Sequence, residues 1–473
     1  MDFIGREQEM RILQDQYDRV EHPFVIIKGR RRVGKSRLIK EFCKDKDALY
    51  FQADKEDANA ILFSFCNKLS EELGIQIGKM GSWKDAIELY IKYSNDKRRI
   101  LIIDEFQYIT KSDRNAEKEF QSIWDNIISE SNTMFIISGS YRTMMEDLTK
   151  YDRPLYGRNT CDLFLRPLDF RKCIFDNDYR YAVERYAFTG GIPHYMSLFD
   201  SNKSVMDNII SLTMDMGGPL VNEVPYLMSD EFKDVKSCNT YLRTISSGYR
   251  KMEDICSALQ IKSQDASPYL NKMVKAGLLE RRIPITDNLE KSRNGLYVVS
   301  DRFMSFWFKF VYQYRNDIIL GMNDGSVSNL RSHFIDRHVS YIFEDICREE
   351  LRRYLKEKGV VASYGSFWSN GKEIDIVAKD DVNGTIYVGE CKYHNSPVDH
   401  KLLVQLESKC TDVKEFRGYR IVFCIFSASG FSDGLLSEID RDDLMLFDCG
   451  ERLIDHGQVI IDHTDVNDST DRE

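Results

Sequence analysis

Residues 24–42 read FVIIKGRRRVGKSRLIKEF. Four apolar residues, Phe24–Ile27, run without interruption toward Gly29; Gly34-Lys35-Ser36 follows, and Leu38, Ile39 and Phe42 then recur at helical spacing. An unbroken apolar run suits a strand buried on both faces, and the 3.6-residue period suits a helix packed over it. Strand, glycine loop and helix form the setting in which G-x4-G-K-S cradles phosphate. Amides of the loop and of the helix N-terminus face the anion, Lys35 reaches the β and γ oxygens, and Ser36 is placed to hold magnesium. Gly29, Gly34, Lys35, Ser36 and Arg37 are therefore the expected nucleotide-binding set.

Outward from this loop, residues 98–109 (RRILIIDEFQYI) repeat the logic, with four apolar residues running into Asp104-Glu105. A carboxylate at the C-terminal end of a buried parallel strand lies where open α/β sheets bind ligands. Asp104 is placed to hold magnesium through water, and Glu105 is the expected general base for the attacking water. ALYFQA (48–53), TMFIISGS (133–140) and CDLFLRPL (161–168) supply three more strands, separated by helical or polar segments. Such alternation predicts a parallel sheet covered on both faces. Ser140 either contacts the γ-phosphate or, with Ser138, simply ends its strand.

A chain of 473 residues exceeds one hydrophobic core, which stops growing at about 250–300 residues, so two to four domains are expected. The longest apolar runs, such as IVFCIFSA (421–428), are about half of the roughly 20 residues a spanning helix needs. MDFIGREQEM has no basic-then-apolar signal pattern, and eleven cysteines without a CxxC pair suit a reducing compartment. A cytoplasmic protein with no membrane partner is expected. The net charge of −10 excludes whole-surface attraction to nucleic acid, so any such binding needs a local basic face.

Residues 236–293 offer one: eleven Lys and Arg against six Asp and Glu, a local +5. Three short blocks of helical periodicity lead through SPYLNKMVKAGLLERR to a strand pair ending at GLYVVSD, the pattern of a winged helix-turn-helix. Lys262, Lys272, Lys275, Arg281 and Arg282 would then contact phosphates rather than read bases. The same module could instead pack over the nucleotide domain. SDRFMSFWFKFVYQYR (300–315) is dense in aromatics and reads as core between the winged helix and the C-terminal domain.

The last third holds a second acidic arrangement. FIDRHVSYIFEDICREELRRYLKE (334–357) is an amphipathic helix carrying Glu344. KEIDIVAKDDVNGTIYVGECKYH (372–394) reads as a hairpin turning at Asn383-Gly384. Glu390 and Lys392 share a face of its second strand, and the first strand can bring Asp375 beside them. Two carboxylates can hold a divalent metal that polarises a phosphodiester, with Glu344 completing the shell and Lys392 meeting developing charge. The alternative is that the acids make only salt bridges in a fold without activity.

Two resemblances arise from these motifs. FIGREQEMRIL, GRRRVGKSRLI, LIIDEFQYI, IISGS, LYGRNTCDLFLRPL and FTGGIPHYM, in this order over residues 1–235, resemble archaeal-type P-loop ATPases allied to the AAA+ and STAND classes. That resemblance implies ATP and Mg2+ as cofactors and places Gly5, Arg6 and Pro193 near the adenine. It makes Arg158 a charge stabiliser, although a surface pair with a neighbouring carboxylate is an alternative for it. The order E…D-x14-E-x-K, with YIFEDICREEL and EIDIVA, resembles the PD-(D/E)xK nuclease superfamily. It implies a metal shell of Glu344, Asp375 and Glu390, with Mn2+ an alternative ion there.

The expected architecture is α/β: a P-loop parallel-sheet ATPase core (1–165), a helical lid (166–235) and a winged helix-turn-helix (236–300). An aromatic connecting segment (301–330), a restriction-endonuclease-like domain (331–461) and an acidic, mobile tail (462–473) complete it. The leading expectation is an ATP-hydrolysing switch acting on DNA through a nuclease-like domain, with room for a homo-oligomer and a protein partner. Its rivals are a non-nucleolytic DNA-binding ATPase with an inactive nuclease fold and a signalling ATPase.

Overall fold

The computed structural model describes residues 3–462 apart from 94–97, 141–144, 146–147, 176–177, 232–233, 289–290, 370, 412, 450–451 and 456–457. The acidic tail beyond Asp462 lies outside the described residues. Contacts divide the chain into two compact units, one running to Leu168 with Gly191–Leu198 added, the other joining Asp169–Gly190 to the chain from Phe199 onward. Among the described residues no helix is long and apolar enough to cross a membrane.

The first unit is a five-stranded sheet of β1 (Phe24–Lys28), β2 (Ala48–Gln52), β3 (Arg99–Asp104), β4 (Thr133–Gly139) and β5 (Cys161–Phe164), in the order β2-β3-β4-β1-β5. Every pairing is parallel. The apolar runs read from the sequence are buried throughout β1 and β4, as a two-sided sheet demands. Phe24, Trp124 and Phe135 cluster on one face with Phe120 and Trp83. β5 stops at Phe164, short of the expected Leu168, where Pro167 has no amide to give a ladder. Because all five strands run parallel, the loop after β1 opens at the same carboxyl edge as the ends of β3 and β4.

The second unit begins with helices Tyr179–Thr189, Val205–Thr213 and Glu223–Glu231. Three helices follow, Val235–Ser246, Met252–Leu259 and Ser263–Lys275, then an antiparallel pair, β6 (Leu279–Arg282) and β7 (Leu296–Val299). The aromatic stripe forms helix Arg302–Phe310, whose Phe303, Phe306, Trp307, Phe308 and Phe310 are all buried. Phe303 meets Phe188 edge-on and Phe306 meets Phe334, so the stripe is core and not a stacking surface.

Helix Asp324–Phe334 passes through one π-helical turn, Ile335–Val339, into helix Ser340–Glu357. A seven-stranded sheet comes next: β8 (Ser363–Ser369), β9 (Lys372–Asp380), β10 (Thr385–Lys392), β11 (Arg420–Ser427), β12 (Leu444–Asp448), β13 (Arg452–Asp455) and β14 (Gln458–Asp462), paired in sequence order. β10, β11 and β12 run parallel, and both flanks are antiparallel. The β9–β10 turn spans Asp381–Gly384; the Asp380 carboxylate accepts the Val382 and Asn383 amides, and Gly384 takes φ +64°.

A bulge in β9 sets the acids. Gly365 pairs with Val377 and Phe367 with Ile374, so Asp375 and Ile376 together oppose Ser366 alone. The Asp375 carbonyl is satisfied instead by Ser366 Oγ at 2.8 Å and Arg348 Nη2 at 3.3 Å.

Candidate ATP site and strand-end acids

The loop after β1 is shaped by two glycines. Gly34 is the N-cap of helix Lys35–Phe42 at φ +98°, and a Cβ on Gly29 would lie 2.6 Å from the Leu165 carbonyl oxygen. Lys35 is buried and its Nζ donates to the Gly29 and Arg30 carbonyls at 3.0 and 3.2 Å, folding the ammonium over its own loop. A cavity of about 410 Å3 opens here, lined by the cations Arg6, Arg31, Arg32, Lys35 and Arg37 and by the apolar side chains of Phe3, Ile4, Leu168, Pro193 and Met196. Cations and apolar surface in one cavity suit a phosphorylated ligand carrying a flat base.

Arg6 is buried and donates to the Val33 and Arg166 carbonyls at 3.1 and 2.8 Å, tying the phosphate loop to the segment after β5. Gly5 donates its amide to Glu7, at the start of helix Glu7–Arg19. His194 borders the same cavity and meets the Arg32 guanidinium, and burial followed by that charge pushes its pKa below the usual imidazole value.

Asp104 and Ser36 come together as the sequence implies. Ser36 Oγ donates to Asp104 Oδ2 at 2.6 Å, Oδ1 accepts the Glu105 amide at 2.9 Å, and Ser138 also donates to Oδ1. Sequence reasoning missed Tyr50, whose hydroxyl donates to Oδ2 at 2.6 Å from the adjacent strand. Its signal was faint: a single phenol within a short apolar strand. Two oxygens from Ser36 and Asp104 meeting at a helix N-terminus beside a lysine fit a hard cation carried on a nucleotide.

Glu105 takes φ +55°, a left-handed backbone rare outside glycine. Ser140 Oγ donates to its Oε2 at 2.9 Å, and Gln107 Nε2 donates to the same oxygen. Ser140 thus does more than end its strand. Arg158 lies elsewhere: its guanidinium forms a two-pronged pair with Asp125 at 2.7 and 2.8 Å and does not line the nucleotide cavity. The surface-pair alternative is the one this geometry matches.

In the second unit the bulge brings Asp375 Oδ2 to the Cys391 amide at 2.9 Å, beside Glu390 and Lys392. Burial, then the charge of Glu390, pushes the Asp375 carboxyl up to about 6. Glu344 is likewise raised, first by burial and then by Asp375. The three acids are within electrostatic reach, yet the expected three-carboxylate metal shell is not formed: no group of three or more His, Cys, Asp or Glu is gathered for a metal among the described residues. Glu390 faces ammonium groups instead, Lys392 at 3.3 Å and Lys409 from helix Lys401–Thr411. As folded, these residues do not offer a divalent ion a ready site.

The basic face is also smaller than its sequence count. Lys262, Lys272 and Lys275 are exposed on and beside helix Ser263–Lys275, but Arg282 is committed to Asp345 at 3.0 and 3.1 Å, and Arg281 donates to the Ser292 carbonyl.

Fold and loop together define a P-loop ATPase. Residues 3–199 match the family model described as an ATPase domain predominantly from Archaea, and residues 307–405 match one for archaeal and bacterial proteins of unknown function. The protein is an ATPase, and ATP is its ligand. An uncharacterised protein of Methanocaldococcus jannaschii is 29% identical over 390 residues, spanning 80% of this chain and 84% of its own. Among solved structures, a Walker-type ATPase of Pyrococcus abyssi aligns with 18% identity, TM-score 0.49, covering 65% of this chain and 96% of its own. The ORC2 protein of Aeropyrum pernix, in ADPNP and ADP complexes, aligns with 14% identity, TM-score 0.41, covering 67% and 96%.

Proposed function

We propose that this chain is a cytoplasmic ATP-hydrolysing switch whose second unit binds DNA through a winged helix and carries a restriction-endonuclease-like fold. Within the ATPase site, Lys35 meets the β and γ oxygens once it leaves its own loop carbonyls. Ser36 and Asp104 would hold magnesium, which supplies charge neutralisation on those oxygens. Glu105 takes the proton of the attacking water. Ser140 shares Glu105 Oε2 with Gln107, so a γ-phosphate that draws the Ser140 hydroxyl loosens one of the two bonds restraining the base. Arg158 has no part in this reading.

One observation carries the DNA assignment: three helices, a β-hairpin and an isolated bridge from Lys251 to β7 follow winged-helix order, and the third helix with its N-cap keeps three exposed lysines. Replacing Lys262, Lys272 and Lys275 by alanine should weaken binding to every duplex alike and lower the salt slope by about 3 at most. Equal affinity and an equal slope in the triple variant would return the module to a packing role.

A second reading, phosphodiester cleavage, is favoured by the bulge that sets Asp375 against the Cys391 amide between Glu390 and Lys392. Plasmid nicking with Mg2+ or Mn2+, with and without ATP, tests it; an intact plasmid under all conditions leaves the non-nucleolytic switch.

A further inference from the structure

Glu390 is 3% exposed and lies at the C-terminal end of a strand, where it would have to serve any cation drawn to Asp375. Both of its oxygens have cationic partners. Lys392 reaches Oε2 at 3.3 Å from its own strand, and Lys409 reaches Oε1 from a helix packed on β9 and β11. The sequence marks Lys392 through the ExK spacing. Nothing marks Lys409, nineteen residues beyond Glu390.

The two lysines differ in the element that carries them. Lys392 is tied to β10 by its backbone, two residues from the glutamate it serves. Lys409 belongs to a separate element; its side chain is 32% exposed, about as much as that of Lys392 at 31%, and a rotamer change carries its ammonium to water while the enclosed Glu390 cannot follow. A divalent ion arriving at Oε1 meets a glutamate already neutralised by one lysine and repelled by the excess charge of the other. That repulsion is twice what a monovalent ion would feel.

We propose that Lys409 is an internal counter-ion that closes the strand-end acids to divalent metal, holding Glu390 Oε1 until its ammonium is withdrawn. The proposal rests on the nuclease-like reading of these acids. It accounts for a chain that keeps Asp375, Glu390 and Lys392 in register yet gathers no metal ligand set among the described residues. Withdrawal of Lys409 toward a phosphate of bound nucleic acid would open the oxygen, since that anion offers the ammonium an alternative partner.

The test is calorimetric Mn2+ binding to the full chain, compared among the parent, Lys409→Gln, Lys409→Arg and the double variant Lys409→Gln/Glu390→Gln. Denaturant melts of each variant report folding of the second unit, which carries Lys409. Lys409→Gln should bind Mn2+ at least tenfold tighter than the parent, Lys409→Arg should match the parent because it keeps the charge, and the double variant should lose the gain. Equal or weaker binding by Lys409→Gln overturns the counter-ion role. Mn2+ binding in the single variant that Glu390→Gln leaves untouched, or none in any form, overturns the nuclease-like reading of the acids together with it.

Discussion

Glu105 and Lys35 divide the ATPase chemistry between base and phosphate clamp, and each makes a separable prediction. Lys35→Ala should abolish ATP binding, because no other lysine lines the cavity among the described residues and the phosphate loop loses its central ammonium. Glu105→Gln should bind ATP nearly as well and turn over at least about a hundredfold more slowly, the usual range for a lost general base. Fluorescent-nucleotide titration and steady-state turnover on the two proteins check this; parental turnover in Glu105→Gln would move the base elsewhere. The left-handed backbone of Glu105 could not be read from a DE pair, since a strained conformation is set by what surrounds it: Ser140, Gln107 and the Asp104 carboxylate that takes its amide.

At the scale of elements, the phosphate loop depends on two glycines for different reasons. Gly34→Ala forces a side chain into φ +98° without a clash, its Cβ meeting Pro193 Cγ at an ordinary 3.9 Å, and costs roughly 1–3 kcal/mol of backbone strain. Gly29→Ala drives a Cβ against the Leu165 backbone oxygen, so β5 or the loop must shift. Thermal melts should show both variants destabilised, and ATP binding should fall more in Gly29→Ala because the shift displaces the loop's carbonyls and amides together. Equal melting temperatures for parent and both variants would contradict this account. The β9 bulge is a comparable device. Strand periodicity predicts which residues share a face, but it cannot announce an inserted residue, and the two donors that satisfy the Asp375 carbonyl, Ser366 and Arg348, come from another strand and from a helix.

On the whole-molecule scale, the second unit is fastened by Asp345. Burial alone would raise its carboxyl, but Arg282, Arg348 and Arg302 hold it down to about 2. A carboxyl depressed on folding stabilises the folded chain above its unfolded pKa near 3.8, and that contribution is lost as pH falls toward 2. The pH-dependent part amounts to about 2 kcal/mol. Asp345→Ala should destabilise the second unit at pH 7 by roughly 3 kcal/mol, since it leaves arginines buried without their partner, and should flatten the loss of stability between about pH 4 and 2. Denaturant melts across that range decide it; an unchanged acid slope would assign the arginines other partners. The commitment of Arg282 to this network also removed it from the basic face on which its sequence position placed it.

The sequence by itself determined the parallel sheet, its phosphate loop, the Asp104-Glu105 strand end and the apolar-strand hairpin carrying Asp375 and Glu390. These are local patterns: periodicity, glycine spacing and a charge closing an apolar run each act within a dozen residues. Only the tertiary structure decided which distant side chains share those groups. Tyr50 on Asp104, Asp125 on Arg158, Asp345 on Arg282 and Lys409 on Glu390 are partners 19 to 63 residues apart. A charge written in a sequence names what a side chain can attract. Its actual partner is whichever opposite group packing brings within about 3 Å while water is excluded, and that depends on the crossing of elements that no local spacing records.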